Sequence, residues 1–189
     1  MAVKSNLVNM ALVLTGTCLL CSAILGGAYV LTKEPIDAAA LEKTNRAIGA
    51  VLPAFETAEE GTLELDGKTV HYYKAVSGGE TVGYAIESAT VGFGGNLALM
   101  VGITPDGVVY NTSVLSHSET PGLGAKCTTD QKFMAQWKGF NPSVKILSVK
   151  KDGGDVDAIT ASTITSRAYT QAVAGALAAF KVLGGQDNE

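Results

Sequence analysis

Five hydroxyl side chains, Thr160, Ser162, Thr163, Thr165 and Ser166, crowd into seven consecutive positions of this chain. They stand where an irregular stretch, Lys151-Asp152-Gly153-Gly154-Asp155, gives way to a long alanine-rich segment that reads as a helix. The first turn of a helix has backbone N–H groups without intrahelical acceptors and carries the positive end of the helix dipole. A phosphate placed there is stabilised before any side chain contributes. A phosphate anchor is therefore one reading of the run. A plain helix cap is the other, because Ser and Thr fill that role without a ligand.

A second group of residues with chemical potential is His117-Ser118-Glu119-Thr120-Pro121-Gly122-Leu123-Gly124-Ala125-Lys126, directly after an apolar strand-like run. Its proline and glycines permit a tight loop whose backbone can approach a flat ligand, or a simple surface turn. The His-x-Glu at its start imitates zinc deaminases, but the Pro-Cys-x-x-Cys that completes their metal site is missing and only Cys127 follows, so a zinc hydrolase is excluded. Cys18 and Cys21 form a C-x-x-C inside an apolar run. With no second ligand pair they read as small packing residues rather than a metal or redox site.

The elements that must position these groups are legible from their periods. Thr62–Leu65 and Lys68–Val76 flank Asp66-Gly67, a strong hairpin signal. Val82–Thr90 reads as a further strand, leading to Gly92-Phe93-Gly94-Gly95, and Leu97–Thr104 pairs with Val108–Ser116 around Pro105-Asp106-Gly107. Thr128–Trp137 is expected to be a short helix and Val144–Lys150 another strand. In the terminal helix Tyr169, Val173, Ala176, Phe180 and Leu183 form a core-facing stripe, with Arg167, Gln171 and Lys181 outside it and Gly184-Gly185 as the expected stop. Short connections without crossover helices predict an α+β fold built on a mainly antiparallel sheet with flanking helices, and disfavour a doubly wound nucleotide fold.

No charged residue lies between Lys4 and Lys33, and Leu7 to Leu31 is dominated by Leu, Val, Ala and Ile. A helix of that length spans roughly 37 Å, enough for a ~30 Å hydrocarbon layer. A cleaved signal peptide is the rival, but its apolar core would be about 7 to 15 residues, shorter than this run. The expected organisation is an N-terminal tail at 1–6, a single transmembrane helix at 7–32, a helical connector at 33–60 ending near Pro53, and a soluble domain at 61–189. The formal net charge of −4 across 189 residues gives no sign of nucleic acid as a partner.

The order Asp157-Ala158-Ile159-Thr160-Ala161-Ser162-Thr163 resembles the attachment motif of the covalent-FMN domains in the Rnf and Na+-pumping NADH:quinone reductase complexes. That motif usually ends Ser/Thr-Gly-Ala-Thr, so Ala161 and Ser162 stand here for Gly and Ala. Glu119-Thr120-Pro121-Gly122-Leu123-Gly124 is similar to a second landmark, and Gly92-Phe93-Gly94-Gly95 to a third, where Phe93 replaces the usual Tyr. Together with one preceding span, the three cover nearly the whole chain, and its length resembles the G subunit of Rnf more than the longer C subunit of the sodium-pumping reductase.

The resemblance implies FMN held as a phosphoester on Thr163, installed from FAD by a separate flavin transferase. It also implies a pocket drawn from Thr160, Ser162, Glu119, Thr120, Gly122, Leu123, Gly124, Gly94 and Gly95. Asp157 is expected to serve transferase recognition or to cap local N–H groups, and no residue is expected to be a peptide catalyst or a metal ligand. The family's complexes couple electron transfer between reduced ferredoxin and NAD+ to ion movement. The chain carries no NAD-binding glycine fingerprint and no iron–sulfur cysteine set, which makes it an intermediate carrier among other membrane subunits. The expected location is the cell (inner) membrane, single-pass, with the N-terminus cytoplasmic and the FMN domain extracytoplasmic. A self-sufficient anchored flavoreductase and a non-enzymatic anchored binding domain are the alternatives.

Overall fold

The computed structural model describes residues 6–65 and 67–186. The chain divides into two compact units, Met1–Lys43 and Thr44–Glu189. The first consists of most of helix α1 (Leu7–Val51), whose most apolar window has a mean hydropathy of 2.0 and is not buried at all within the protein. By length and composition this helix can cross a membrane. Two of its threonines, Thr17 and Thr32, suit that environment. The hydroxyls of Thr17 and Thr32 donate to the carbonyls of Val13 and Ala28 one turn back, each at 2.8 Å, so neither is left unpaired. The helix runs without a break through Pro35, joining the expected span and connector in one element, and stops two residues before Pro53.

In the second unit, β1 (Thr57–Leu65), β2 (Lys68–Ser77), β3 (Glu80–Val91), β4 (Asn96–Ile103) and β5 (Val109–His117) form one antiparallel sheet in the order β1-β2-β3-β4-β5. Each strand pairs with its sequence neighbour, as short connections dictate. The first strand begins at Thr57, five residues ahead of the expected start at Thr62. In the first hairpin Leu65 pairs with Lys68. Gly67 takes a φ of 72°, while Asp66 lies outside the described residues.

Strand alternation sorts the core onto two faces. Leu97, Leu99, Val101 and Ile103 of β4 join Ile86 against helix α3 (Thr163–Gln186), with Trp137, Phe140 and Tyr169 filling the same layer. Met100 and Ala85 point the other way, onto Ala47, Ile48 and Val51 of the last turns of α1. Gly102 makes that second contact possible, because a Cβ there would collide with the Val51 carbonyl.

Three local expectations are corrected. Val144–Lys150 is not a strand. Ser143 N–H donates to the Asn141 side chain, Ile146 N–H to Asp155 Oδ2, and only an isolated Val149–Val156 bridge remains, so local side-chain acceptors displace a ladder. The expected helix at Thr128–Trp137 contracts to α2 (Gln131–Ala135), N-capped by Asp130 through Lys132 N and Phe133 N, after a 3-10 turn at Gly124–Thr128. Helix α3 continues through Gly184-Gly185 to Gln186. Its stripe is as expected: Tyr169, Val173, Ala176 and Leu183 are buried, Phe180 packs against the same cluster, and Arg167, Gln171 and Lys181 are exposed.

Candidate functional site

The meander brings the three sequence landmarks to one end of the sheet. The Gly92–Gly95 connection joins β3 to β4, and Leu97 near the start of β4 pairs with His117 at the end of β5, so the loop that follows His117 emerges beside it. A register irregularity between Ala98 and Leu99 gives β5 an extra residue just before that loop. The beginning of α3 is tied to the same end by the Thr90 hydroxyl, which donates to the Ala168 carbonyl at 2.9 Å.

Glu119 joins the three segments. Its carboxylate is buried, at 6% exposure. Oε1 accepts the Phe93 N–H at 2.8 Å and Oε2 accepts the Thr165 hydroxyl at 2.8 Å. A buried carboxylate without such donors would be costly, and here both oxygens are engaged. The surrounding glycines leave room for it. A Cβ on Gly92 or Gly124 would run into the Glu119 carboxylate, and one on Gly94 into the Ser118 carbonyl. These glycines are thus explained by close packing of loop on loop rather than by flexibility.

The resulting cavity has a volume of about 350 Å3, within the usual range for small-molecule sites. Thr163 is the first residue of α3 and lines it. Ser162, just before the helix, also lines it. Ser162 is 7% exposed, and its hydroxyl is buried without a hydrogen-bond partner. It is therefore not acting as a side-chain cap, although its carbonyl accepts both the Ser166 N–H and the Ser166 hydroxyl. The Thr163 hydroxyl instead meets Lys151 Nζ at 3.3 Å. Ala161 holds a φ of 61°, the left-handed region that favours glycine, at the position where the covalent-FMN motif ordinarily has one.

Of the residues expected at the site, Glu119, Thr120, Leu123, Gly124, Ser162 and Thr163 line this cavity together. Gly94, Gly95, Gly122 and Thr160 do not. Gly94 packs against Ser118, Gly95 and Gly122 take φ values of 139° and 76° in the loops, and Thr160 is exposed. Phe93, Ala161, Ile164 and Thr165 complete the lining. The Thr165–Glu119 bond had no sequence signal beyond the hydroxyl itself, because the partners are 46 residues apart.

The Asp157 side chain pairs with Lys150 at 2.8 Å, which holds its carboxyl below the usual range, and no backbone N–H is capped by it among the described bonds. The ring of His117 accepts the Glu119 N–H at 3.2 Å, so the deaminase-like pair is a loop contact. Cys127 is buried, and burial with the nearby Glu119 charge pushes its thiol up to about 11, the profile of an inert packing residue.

Residues 92–178 match the FMN-binding domain model. The chain is 33% identical over 161 residues to the G subunit of the proton-translocating ferredoxin:NAD(+) oxidoreductase complex of Clostridium ljungdahlii, covering 85% of this chain and 84% of that one. It is 36% identical over 162 residues to the G subunit of the ion-translocating oxidoreductase complex of Methanosarcina acetivorans, covering 82% and 85%. Among solved structures, the C subunit of the Na(+)-translocating NADH-quinone reductase from Parabacteroides distasonis aligns with a TM-score of 0.49 and 19% identity, over 72% of this chain and 79% of that one. The two sequence relatives, each matched over more than four fifths of its length, establish that this chain belongs to the family of G subunits of ion-translocating oxidoreductase complexes.

Proposed function

We propose that this chain is the membrane-anchored electron-transfer subunit of an ion-translocating ferredoxin:NAD+ oxidoreductase complex and carries FMN as a phosphoester on Thr163. The observation that carries the reading is the position of Thr163: first residue of a long helix, in the wall of a cavity closed by glycine loops, next to a buried Ser162 hydroxyl that has no partner. An unpaired buried hydroxyl beside a helix N-terminus suits a phosphate, which supplies acceptors for both. For attachment, Thr163 Oγ gives up its proton and forms a bond to phosphorus as the P–O bond joining the FMN and AMP halves of FAD breaks. AMP leaves, and a flavin transferase or solvent takes the proton.

Bound flavin supplies the redox chemistry, and the protein supplies placement and surroundings. Phe93, Leu123 and Ile164, which are 68%, 44% and 51% exposed, offer apolar surface around the cavity for a flat ring system. Glu119 and Gly92, Gly94 and Gly124 hold the loops together, while Gly95 and Gly122 supply positive-φ positions in those loops and Thr160 is part of the attachment motif. A covalent tether keeps the cofactor at high local concentration whatever its redox state. Helix α1 anchors the domain, with the N-terminus on the cytoplasmic side and the FMN domain extracytoplasmic. Between Leu7 and Leu31 it has no Asp, Glu, Lys, Arg or His, so the ion path belongs to partner subunits.

The test uses the chain with and without the remaining subunits, after expression with a flavin transferase. Electron flow from reduced ferredoxin to NAD+ is expected only in the assembled complex, and it stops when Thr163→Ala replaces the wild-type chain. Full turnover by the isolated chain with a small acceptor would favour a self-sufficient flavoreductase.

A further inference from the structure

Lys151 belongs to none of the sequence landmarks. It lies on a three-residue 3-10 turn, Lys150–Asp152, that ends at Gly153 with a φ of 83°. Close packing fixes the next residue as well, since a Cβ on Gly154 would collide with the Ser148 carbonyl. Two ion pairs staple the turn to its surroundings. Asp152 takes both Arg167 Nε and Nη2 of α3 at 2.6 Å, and Lys150 takes Asp157 at 2.8 Å. The bidentate Arg167 pair is a geometrically specific contact that orients the turn against the start of the helix. Lys150 and Asp152 thus each face an opposite charge. Lys151, between them, faces the neutral Thr163 hydroxyl at 3.3 Å. Lys151 also lies within electrostatic reach of Asp152, whose carboxylate is already held on both oxygens by Arg167.

We propose that Lys151 is the counter-ion of the phosphodiester on Thr163, a positioning residue that holds the phosphate and is supported by the Asp152–Arg167 and Lys150–Asp157 pairs. This rests on attachment at Thr163. The buried Ser162 hydroxyl without a partner is an independent sign that an acceptor group belongs at the same helix start. A phosphodiester carries one negative charge, which the Lys151 ammonium can meet, while the α3 N-terminus and Ser162 supply neutral donors. A lysine serves this role as a point charge on a flexible stem, so arginine should substitute for it and a neutral isostere should not.

The full-length chain is expressed without a transferase, purified in detergent, and then supplied with FAD and an active transferase. Covalent flavin is followed by fluorescence on denaturing gels for wild type, Lys151→Gln and Lys151→Arg. Lys151→Gln should slow incorporation by about 5- to 30-fold, in keeping with one charge-assisted hydrogen bond at a partly exposed site, and Lys151→Arg should keep most of the rate. Once loaded, the 31P resonance of the phosphodiester should differ between wild type and Lys151→Gln and stay close to the wild-type position in Lys151→Arg. Equal rates for wild type and Lys151→Gln, equal losses in Gln and Arg, or an unchanged 31P resonance in Lys151→Gln would each overturn the proposal while leaving attachment at Thr163 intact. Absence of flavin from the wild type would overturn attachment itself, and this assignment with it.

Discussion

Two cavities of similar size lie in the second unit, one of about 350 Å3 at Thr163 and one of about 400 Å3 lined by Lys68, His71, Glu87, Gln171 and Gly175 among others. They are built differently. At the first, three glycines are required by backbone and by a buried carboxylate, a buried hydroxyl lacks a partner, and segments distant in sequence are tied through Glu119. At the second, the lone glycine of the lining would bring a Cβ only to within 2.9 Å of the Ser88 hydroxyl, and its ionisable groups sit on strand faces. Volume does not separate a binding site from a surface groove here. The density of constraints does.

That contrast can be tested by breaking each cavity in turn. Gly124→Ala should have the largest effect. Its methyl group meets both Glu119 and Thr165, so thermal or urea unfolding should show a loss of about 2–3 kcal/mol and flavin incorporation should fall sharply. Glu119→Ala follows, because it strands the Phe93 N–H and the Thr165 hydroxyl, and a loss of roughly 2 kcal/mol is expected on urea unfolding. Ala161→Gly should move stability the other way, by about +0.5–1 kcal/mol, since it relieves a left-handed φ of 61° while adding unfolded-state entropy. His71→Ala in the groove should leave the extent of flavin incorporation unchanged.

The two regions should also differ in their response to pH. Burial, partly offset by His71 and reinforced by Glu60, raises the Glu87 carboxyl above the ordinary glutamate range. A raised carboxyl binds its proton more tightly when folded, so its favourable contribution is present in acid and is lost as pH rises through the folded value. Beside Thr163 the sign is reversed. The Arg167 hydrogen bond lowers the Asp152 carboxyl, so its contribution is present above the ordinary aspartate range and is lost as pH falls through the lowered value. Melting temperatures followed across pH should therefore show Glu87→Gln removing part of the decline toward neutral pH, and Asp152→Asn removing part of the acid decline.

The sheet was readable because its signals are local: period-two alternation, turn residues between strands, and an apolar stripe along α3. The segment at Val144–Lys150 was not. Val144 and Ile146 look like strand residues, yet they are 79% and 63% exposed, because the Asn141 and Asp155 side chains accept backbone N–H groups of this segment in place of a neighbouring strand. At the site, the hydroxyl run and the glycine loops were visible as motifs, while the reason for each glycine was not. Gly92 and Gly124 are set by a carboxylate that reaches them only when β5 and α3 are in place. Lys151 was hidden for the same reason, since it is placed against Thr163 by ion pairs that span the turn and the helix. Alternation and turn chemistry are properties of neighbouring residues, whereas loop-on-loop packing is a property of the closed fold.

Attachment of FMN at Thr163 is decided by covalent flavin on the full chain. Wild type, Thr163→Ala, Ser162→Ala and Thr160→Ala are each expressed with an active flavin transferase, denatured, and examined for flavin fluorescence and for the mass of the intact protein. One FMN is expected on the wild type and on Thr160→Ala, reduced incorporation on Ser162→Ala, and none on Thr163→Ala. Fluorescence that persists in Thr163→Ala, or a wild type that remains unlabelled beside an active transferase, would contradict attachment at Thr163.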